Sequence, residues 1–251
     1  MGNIAFRDFT IYIIPGAFLG SGIILILYAV GVSPTEALPQ ADGITSFLNV
    51  LIVTIGAMAV FYTLGQFNMM YSGKIWKPLA EKRGDPRVLL LDKMKSRNLD
   101  IPIKFTIKQP FSPEFIDCLL VKLREVFGEE VVESERNSGN LFLLCQRFVG
   151  LNCQEGHSYV DRTLMVYNYA LAMIIPSFVF GVSLLLFTTM HYRAFSEPFI
   201  ALLVISLFVI VTMPIMFKRR FEGYFLEHAF NTYALFYAYA CSQQRLEQVS
   251  A

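Results

Sequence analysis

Few residues in this chain are of types that could carry chemistry, and their spacing decides what that chemistry would be. The stretch "CQRFVGLNCQEGH" holds Cys145, Cys153 and His157. Thiolate and imidazole together are zinc ligands, but strong zinc patterns need a tight CxxC or HxxxH pair, and this spacing matches none of them. Cysteines buried in a core are the expectation. In "LEHAF" Glu227 precedes His228, without the second histidine that an HExxH metalloprotease helix requires. His157, His191 and His228 are the only histidines, and no GxSxG nucleophile elbow occurs. "YSGKIW" contains Gly73-Lys74 without the spacing of a phosphate loop. These residues predict no enzyme, no metal and no cofactor. A membrane enzyme or lipid-handling protein using Cys145, Cys153 or His157 is the least favoured reading.

The elements that would position these side chains follow from charge and hydropathy. Hydrophobic residues make up 55% of the 251 and charged residues 16%, against roughly half and a quarter in soluble domains. No charged side chain falls between Asp8 and Glu36, Asp42 and Lys74, Arg162 and Arg193, or Glu197 and Lys218. A bilayer core takes about 20 apolar residues in helical form, so four spans are predicted, near 10–31, 46–70, 165–189 and 198–217. The first is longer than the usual apolar core of a signal peptide, about 7–15 residues, and is expected to be retained. Of the 21 Lys and Arg residues, only Arg193 falls in a link between paired spans. The positive-inside rule then puts both termini and the middle segment in the cytoplasm of an inner-membrane protein.

One apolar phrase occurs twice. "IIPGAFLGSG" begins at Ile13 and "IIPSFVFGVS" at Ile174, each with Gly five residues after the Pro. Both begin spans expected to run outward, which suggests a parallel repeat of two helical hairpins. Pro15 and Pro176 are expected in the first turns of their spans, where loss of a backbone donor costs least. Gly16, Gly20 and Gly22, with Gly181 and Ser183 in the second copy, form small-residue stripes. Such stripes are usually helix-packing surfaces; lining a pore is the sharper alternative.

The full expectation is a polytopic α-helical membrane protein of four transmembrane helices. Its parts are a hairpin at 8–73, a cytoplasmic domain at 74–163, a second hairpin at 164–218 and a cytoplasmic helix at 219–251. The inserted domain is expected to be small and mainly helical, with one or a few short strands. "GDPRVLLLDKMK" has Asp85 as cap and Pro86 at the first helical position. "IPIKFTIK", residues 101–108, alternates like an edge strand. "SPEFIDCLLVKLREVF" should be a helix with Phe115, Leu119, Leu123 and Val126 on its apolar side. Residues 129–148 fit either a hairpin or a loop followed by a helix from Asn140, the latter favoured by Leu141, Leu144, Cys145 and Phe148 on one face. Ser158 and Asp161 have capping-box spacing and are expected to start the helix of the third span. The aromatic tail, with Phe221, Phe225, Tyr233, Phe236 and Tyr237 broadly on one side, should extend the fourth span and pack on the insert or lie at the interface; an oligomer contact is the alternative.

Charge within the insert is segregated. Lys74, Lys77, Lys82, Arg83, Arg87, Lys93, Lys95 and Arg97 form a basic run where the chain leaves the membrane. Anionic headgroups are the expected partner, with a phosphate-bearing ligand or nucleic acid as the alternative. Glu129, Glu130, Glu133 and Glu135 are candidates for docking a soluble protein. Charge-free spans disfavour proton-coupled transport, which places ionisable groups within the membrane. The functional expectation is a homo-oligomer whose cytoplasmic domain binds a ligand or partner and controls a pore or membrane-disrupting effector, for example in bacterial antiviral defence. A scaffold that recruits a soluble partner without opening is the alternative.

Overall fold

The computed structural model describes residues 9–32, 44–82, 85–92, 111–192, 194 and 196–250, without the side chains of 44–52, 75–82, 154, 155, 157 and 244–250. Almost all of this is helix, and no strand occurs among the described residues. The strand expected at 101–108 lies outside them.

The chain divides into two units, one within 1–76 and 168–218, the other within 77–167 and 219–251. The first, the apolar unit, opens with a π-helical turn, Phe9–Ile13, that runs into α1, Ile14–Ala29. Helix α2 follows, Ile44–Lys82. Two more long helices each contribute to both units: α7, Gln154–His191, and α8, Glu197–Ser250. Three helices are long and apolar enough to cross a membrane, within Phe9–Ala29, Ser158–His191 and Glu197–Gln243. Helix α2 covers the remaining charge-free window.

Packing within this unit is uneven. The apolar window of α7 is half buried, whereas that of α8 is only 11% buried. Large aliphatic and aromatic side chains of α8 such as Val204, Phe208 and Val211 stand exposed, as do Ile55 and Phe67 of α2.

The second unit is built from α3 (Pro86–Leu89), α4 (Pro113–Phe127), α5 (Glu129–Glu135) and α6 (Asn140–Asn152), with the start of α7 and the end of α8. Asp85 caps α3 by accepting from the Arg87 amide, and Ser112 caps α4 by accepting from the Phe115 amide, each followed by Pro. Gly128 breaks α4 from α5 at φ +90°, and Gly139 precedes α6 at φ +75°; side chains rarely adopt either conformation. Residues 129–148 therefore form two helices rather than a hairpin.

Two details of the sequence reading are corrected. Helix α4 buries Ile116, Leu119, Leu120 and Leu123, while Val126 is exposed. The buried set follows i, i+3, i+4, i+7, one stripe turned away from Val126. Helix α7 begins at Gln154 rather than Ser158. There the Gly156 amide donates to Cys153 Sγ at 3.4 Å, so the thiol takes the capping position and Ser158 sits inside the helix.

Both segments of this unit share one core. Leu90, Leu91, Ile116, Leu123, Leu141 and Cys145 pack with Leu226, Ala229, Tyr233 and Phe236 of α8. The aromatic tail thus closes onto the insert. Its rings interlock: Phe236 stacks on Phe127 at 5.4 Å between centroids and meets Phe148 edge-on at 5.2 Å. The Tyr233 hydroxyl donates to the Arg87 carbonyl at 2.6 Å, pinning the short α3.

Candidate functional site

The repeated phrase and the glycines around it form the most specific geometry in the apolar unit. A Cβ added to Gly16 would lie 1.7 Å from the Phe61 carbonyl oxygen, and one on Gly65 1.9 Å from the Tyr12 carbonyl oxygen. The start of α1 and the middle of α2 therefore meet backbone to backbone, with Tyr12 and Tyr62 edge-on beside the contact at 5.4 Å. Gly20 faces the ring of Phe61.

One turn further along α1, the two copies of the phrase face each other. A Cβ on Gly22 would come within 3.2 Å of Ser183 Oγ, and Phe18 meets Phe180 edge-on at 5.5 Å. Gly22 and Ser183 are each seven residues past their proline. Gly181 turns the other way, towards Ile210 of α8. Gly16, Gly20, Gly22, Gly181 and Ser183 thus all face helices of their own chain, where small residues allow close approach.

Pro15 lies at the start of α1, but Pro176 lies inside α7, not in its first turn. An interior proline leaves the carbonyl four residues earlier without its donor. That carbonyl belongs to Ala172, and Asn68 of α2 supplies the replacement: its Nδ2 donates to Ala172 O at 2.6 Å. Ser72 in turn donates to Asn68 Oδ1 at 3.3 Å, and both side chains are buried. Ser177 donates to Met173 O at 2.7 Å and to Ile174 O at 3.0 Å, adding polar contacts beside the kink-prone turn. A freed carbonyl in an apolar setting has to be satisfied from a neighbouring helix or a nearby side chain. Asn68 is a polar residue within the second charge-free window. The available signal was the pairing of an interior proline with an amide in a neighbouring span.

The charged candidates divide. Arg87 is held by Asp85 through Nε and Nη2, sits 5.6 Å above the Phe225 ring, and its pKa is raised first by the Asp85 hydrogen bond. Its side chain is partly buried. Lys74 rests over the Tyr71 ring at 5.9 Å. Lys77 and Lys82 lie on α2 with side chains outside the described residues, and Arg83, Lys93, Lys95 and Arg97 lie outside them altogether.

Glu129 and Glu130 are exposed at the start of α5, where carboxylates suit the positive end of a helix. Glu133 is bound by Arg124, and Glu135 accepts from Ser138 and Asn140. Those hydrogen bonds, in each case the largest cause, hold both carboxyl groups below the usual carboxylate range. Two of the four carboxylates are thus braced at the surface by neighbouring side chains.

The thiols are dispersed. Cys145 lies in the core, where burial pushes its pKa well above the usual thiol range and keeps it protonated. Cys153 serves as a cap acceptor, and the His157 side chain lies outside the described residues. No group of three or more His, Cys, Asp or Glu that could hold a metal occurs among the described residues. His228 is buried edge-on to Phe142 at 5.4 Å, and its Nδ1 has no hydrogen-bond partner.

No family model matches the chain, and neither a curated protein nor a solved structure does.

Proposed function

We propose that this chain is a non-enzymatic, multi-pass membrane protein whose helical unit, 77–167 and 219–251, binds a ligand or protein partner in the cytoplasm and controls the membrane unit. The four spans are 10–31, 46–70, 165–189 and 198–217, with both termini on the cytoplasmic side of an inner membrane. One observation carries the reading. The apolar unit leaves long aliphatic faces uncovered, while the second unit has its own core built from the segments that flank the spans. Uncovered aliphatic faces on charge-free helices suit lipid. A ligand that binds one arrangement of the second unit better than another would bias the helices shared with the spans.

The glycine faces are taken up within the chain, so a pore would be assembled from several copies around other surfaces. Native mass spectrometry after gentle detergent extraction tests this version. Four or more copies, together with potassium leak from phosphatidylethanolamine–phosphatidylglycerol vesicles on adding a filtered cytosolic extract, is the expected outcome. A monomer in tight vesicles would overturn the pore. The scaffold reading would then lead, with exposed Glu129 and Glu130 as its docking surface. Topology is checked separately by labelling cysteines introduced at Glu36 and Ala194, both expected to react from outside the cell.

A further inference from the structure

Helix α4 meets the C-terminal part of α8 at a point where two cysteines converge. The Phe115 ring lies edge-on to Tyr237 with centroids 4.9 Å apart. Phe111 stacks on Phe115 and on Phe230, at 4.5 Å each, fixing the same contact one α8 turn-pair earlier. Cys118 follows Phe115 by three residues and Cys241 follows Tyr237 by four, so each thiol sits one turn on, on the same helix face. Hydrogen bonding to Cys241 first, with a smaller contribution from Cys118, pushes the Tyr237 hydroxyl's pKa up, so both thiols lie near that hydroxyl. Cys118 is exposed and Cys241 half-buried. The other two thiols differ: Cys145 is sealed in the core and Cys153 is engaged at the start of α7.

We propose that Cys118 and Cys241 are a redox-sensitive pair that closes into a disulfide when the protein meets a peroxide. Cytosolic thiols are kept reduced, so the bond is conditional rather than a structural staple. Hydrogen peroxide is the two-electron oxidant. One thiolate attacks a peroxide oxygen, breaking the O–O bond to give a sulfenic acid and, after proton uptake, water. The second thiol attacks the sulfenic sulfur, forming S–S and releasing the oxygen as a second water. Two thiols lose two electrons and two protons, and the peroxide becomes two waters. A dithiol reverses the bond by exchange through a mixed disulfide. The bond fastens α4 to α8 and closes the chain from 118 to 241 into one covalent loop.

The test uses the full-length protein in detergent. It is treated with hydrogen peroxide, blocked with N-ethylmaleimide, digested and mapped by mass spectrometry. The expected product is an intramolecular peptide pair joining Cys118 to Cys241, two hydrogens lighter than the reduced pair and reversed by dithiothreitol. Cys118→Ser and Cys241→Ser each abolish it, and Cys153→Ser leaves it unchanged. Unfolding the protein in urea and sodium dodecyl sulfate before oxidation lowers its yield severalfold, because the fold supplies the proximity. Blocking of both thiols after peroxide, over-oxidation of Cys118 without a link, or a link between two chains would each overturn the proposal.

Discussion

Within 9–76 and 168–218, helices meet through their backbones. Gly16 and Gly65 leave room for the carbonyls of Phe61 and Tyr12, and Gly22 admits Ser183. Within 77–167 and 219–251, helices meet through rings: Phe127, Phe148 and Phe236 interlock, and Phe142 lies edge-on to Tyr233 at 5.8 Å. On the proposed topology, with the first unit in lipid and the second in water, the difference follows from the solvent each face is matched to. Among lipid tails a large apolar side chain gains little by turning inward, so association rests on close van der Waals approach and inter-helix hydrogen bonds. In water, burial of each ring is itself the driving force. Consistent with this, Val204, Phe208 and Val211 stand exposed in the apolar unit, whereas Tyr233 and Phe236 are fully buried in the second.

The largest effect should come from deleting a ring where rings do the packing. Phe236→Ala, at a fully buried position, is expected to cost about 3–5 kcal/mol, read from thermal or denaturant unfolding in detergent. Phe208→Ala, on the exposed face of α8, should stay within about 0.5 kcal/mol. Equal losses at both sites would break the comparison.

Next in size is the addition of a methyl group where backbones touch. Gly65→Ala should destabilise by about 1–3 kcal/mol, since its Cβ meets backbone that cannot step aside cheaply. On the same helix, Gly56 and Gly73 have nothing within 4 Å of an added Cβ. Alanine there should instead stabilise by about 0.5–1 kcal/mol through lower chain entropy in the unfolded state. The opposite signs, measured by the same unfolding assay, are the sharpest form of the contrast.

The hydrogen bond to the freed carbonyl comes third. Asn68→Leu should cost about 1–2 kcal/mol. If Asn68 serves the carbonyl that Pro176 leaves open, the cost shrinks in a Pro176→Ala background, where the restored backbone amide can take Ala172 O back. A double-mutant cycle reads the coupling directly; additive losses would disconnect the two residues.

The smallest effect concerns the surface bracing of α5. The pKa values of Glu133 and Glu135 are lowered in the folded chain. Between the folded and unfolded values the unfolded state binds more protons, so stability rises with pH there. The bracing is present above the usual carboxylate range and lost as pH falls through the lowered folded values. Protection factors of the Ser138 and Asn140 amides, corrected for the intrinsic pH dependence of exchange, should fall under acid, with little change in the glycine seams of the apolar unit.

The sequence alone determined most of the helices and three helices apolar enough for a membrane, because charge, hydropathy and capping act over neighbouring residues. Asp85-Pro86 and Ser112-Pro113 each start a helix as written, the expected spans 46–70, 165–189 and 198–217 fall in helix, and helix covers the first expected span as far as Ala29. Local signals failed where two were in competition: Ser158 had the spacing of a cap, yet Cys153 capped the helix ahead of it. The stripe of glycines was legible as a packing surface, but not which carbonyl or ring each glycine faces. Only the tertiary structure decided that Asn68 serves a carbonyl 104 residues away, that Tyr233 holds one 146 residues away, and that Phe115 meets Tyr237. A helix's own periodicity fixes which residues share a face, whereas the partner of that face is set by how distant segments pack, which no short stretch of sequence encodes.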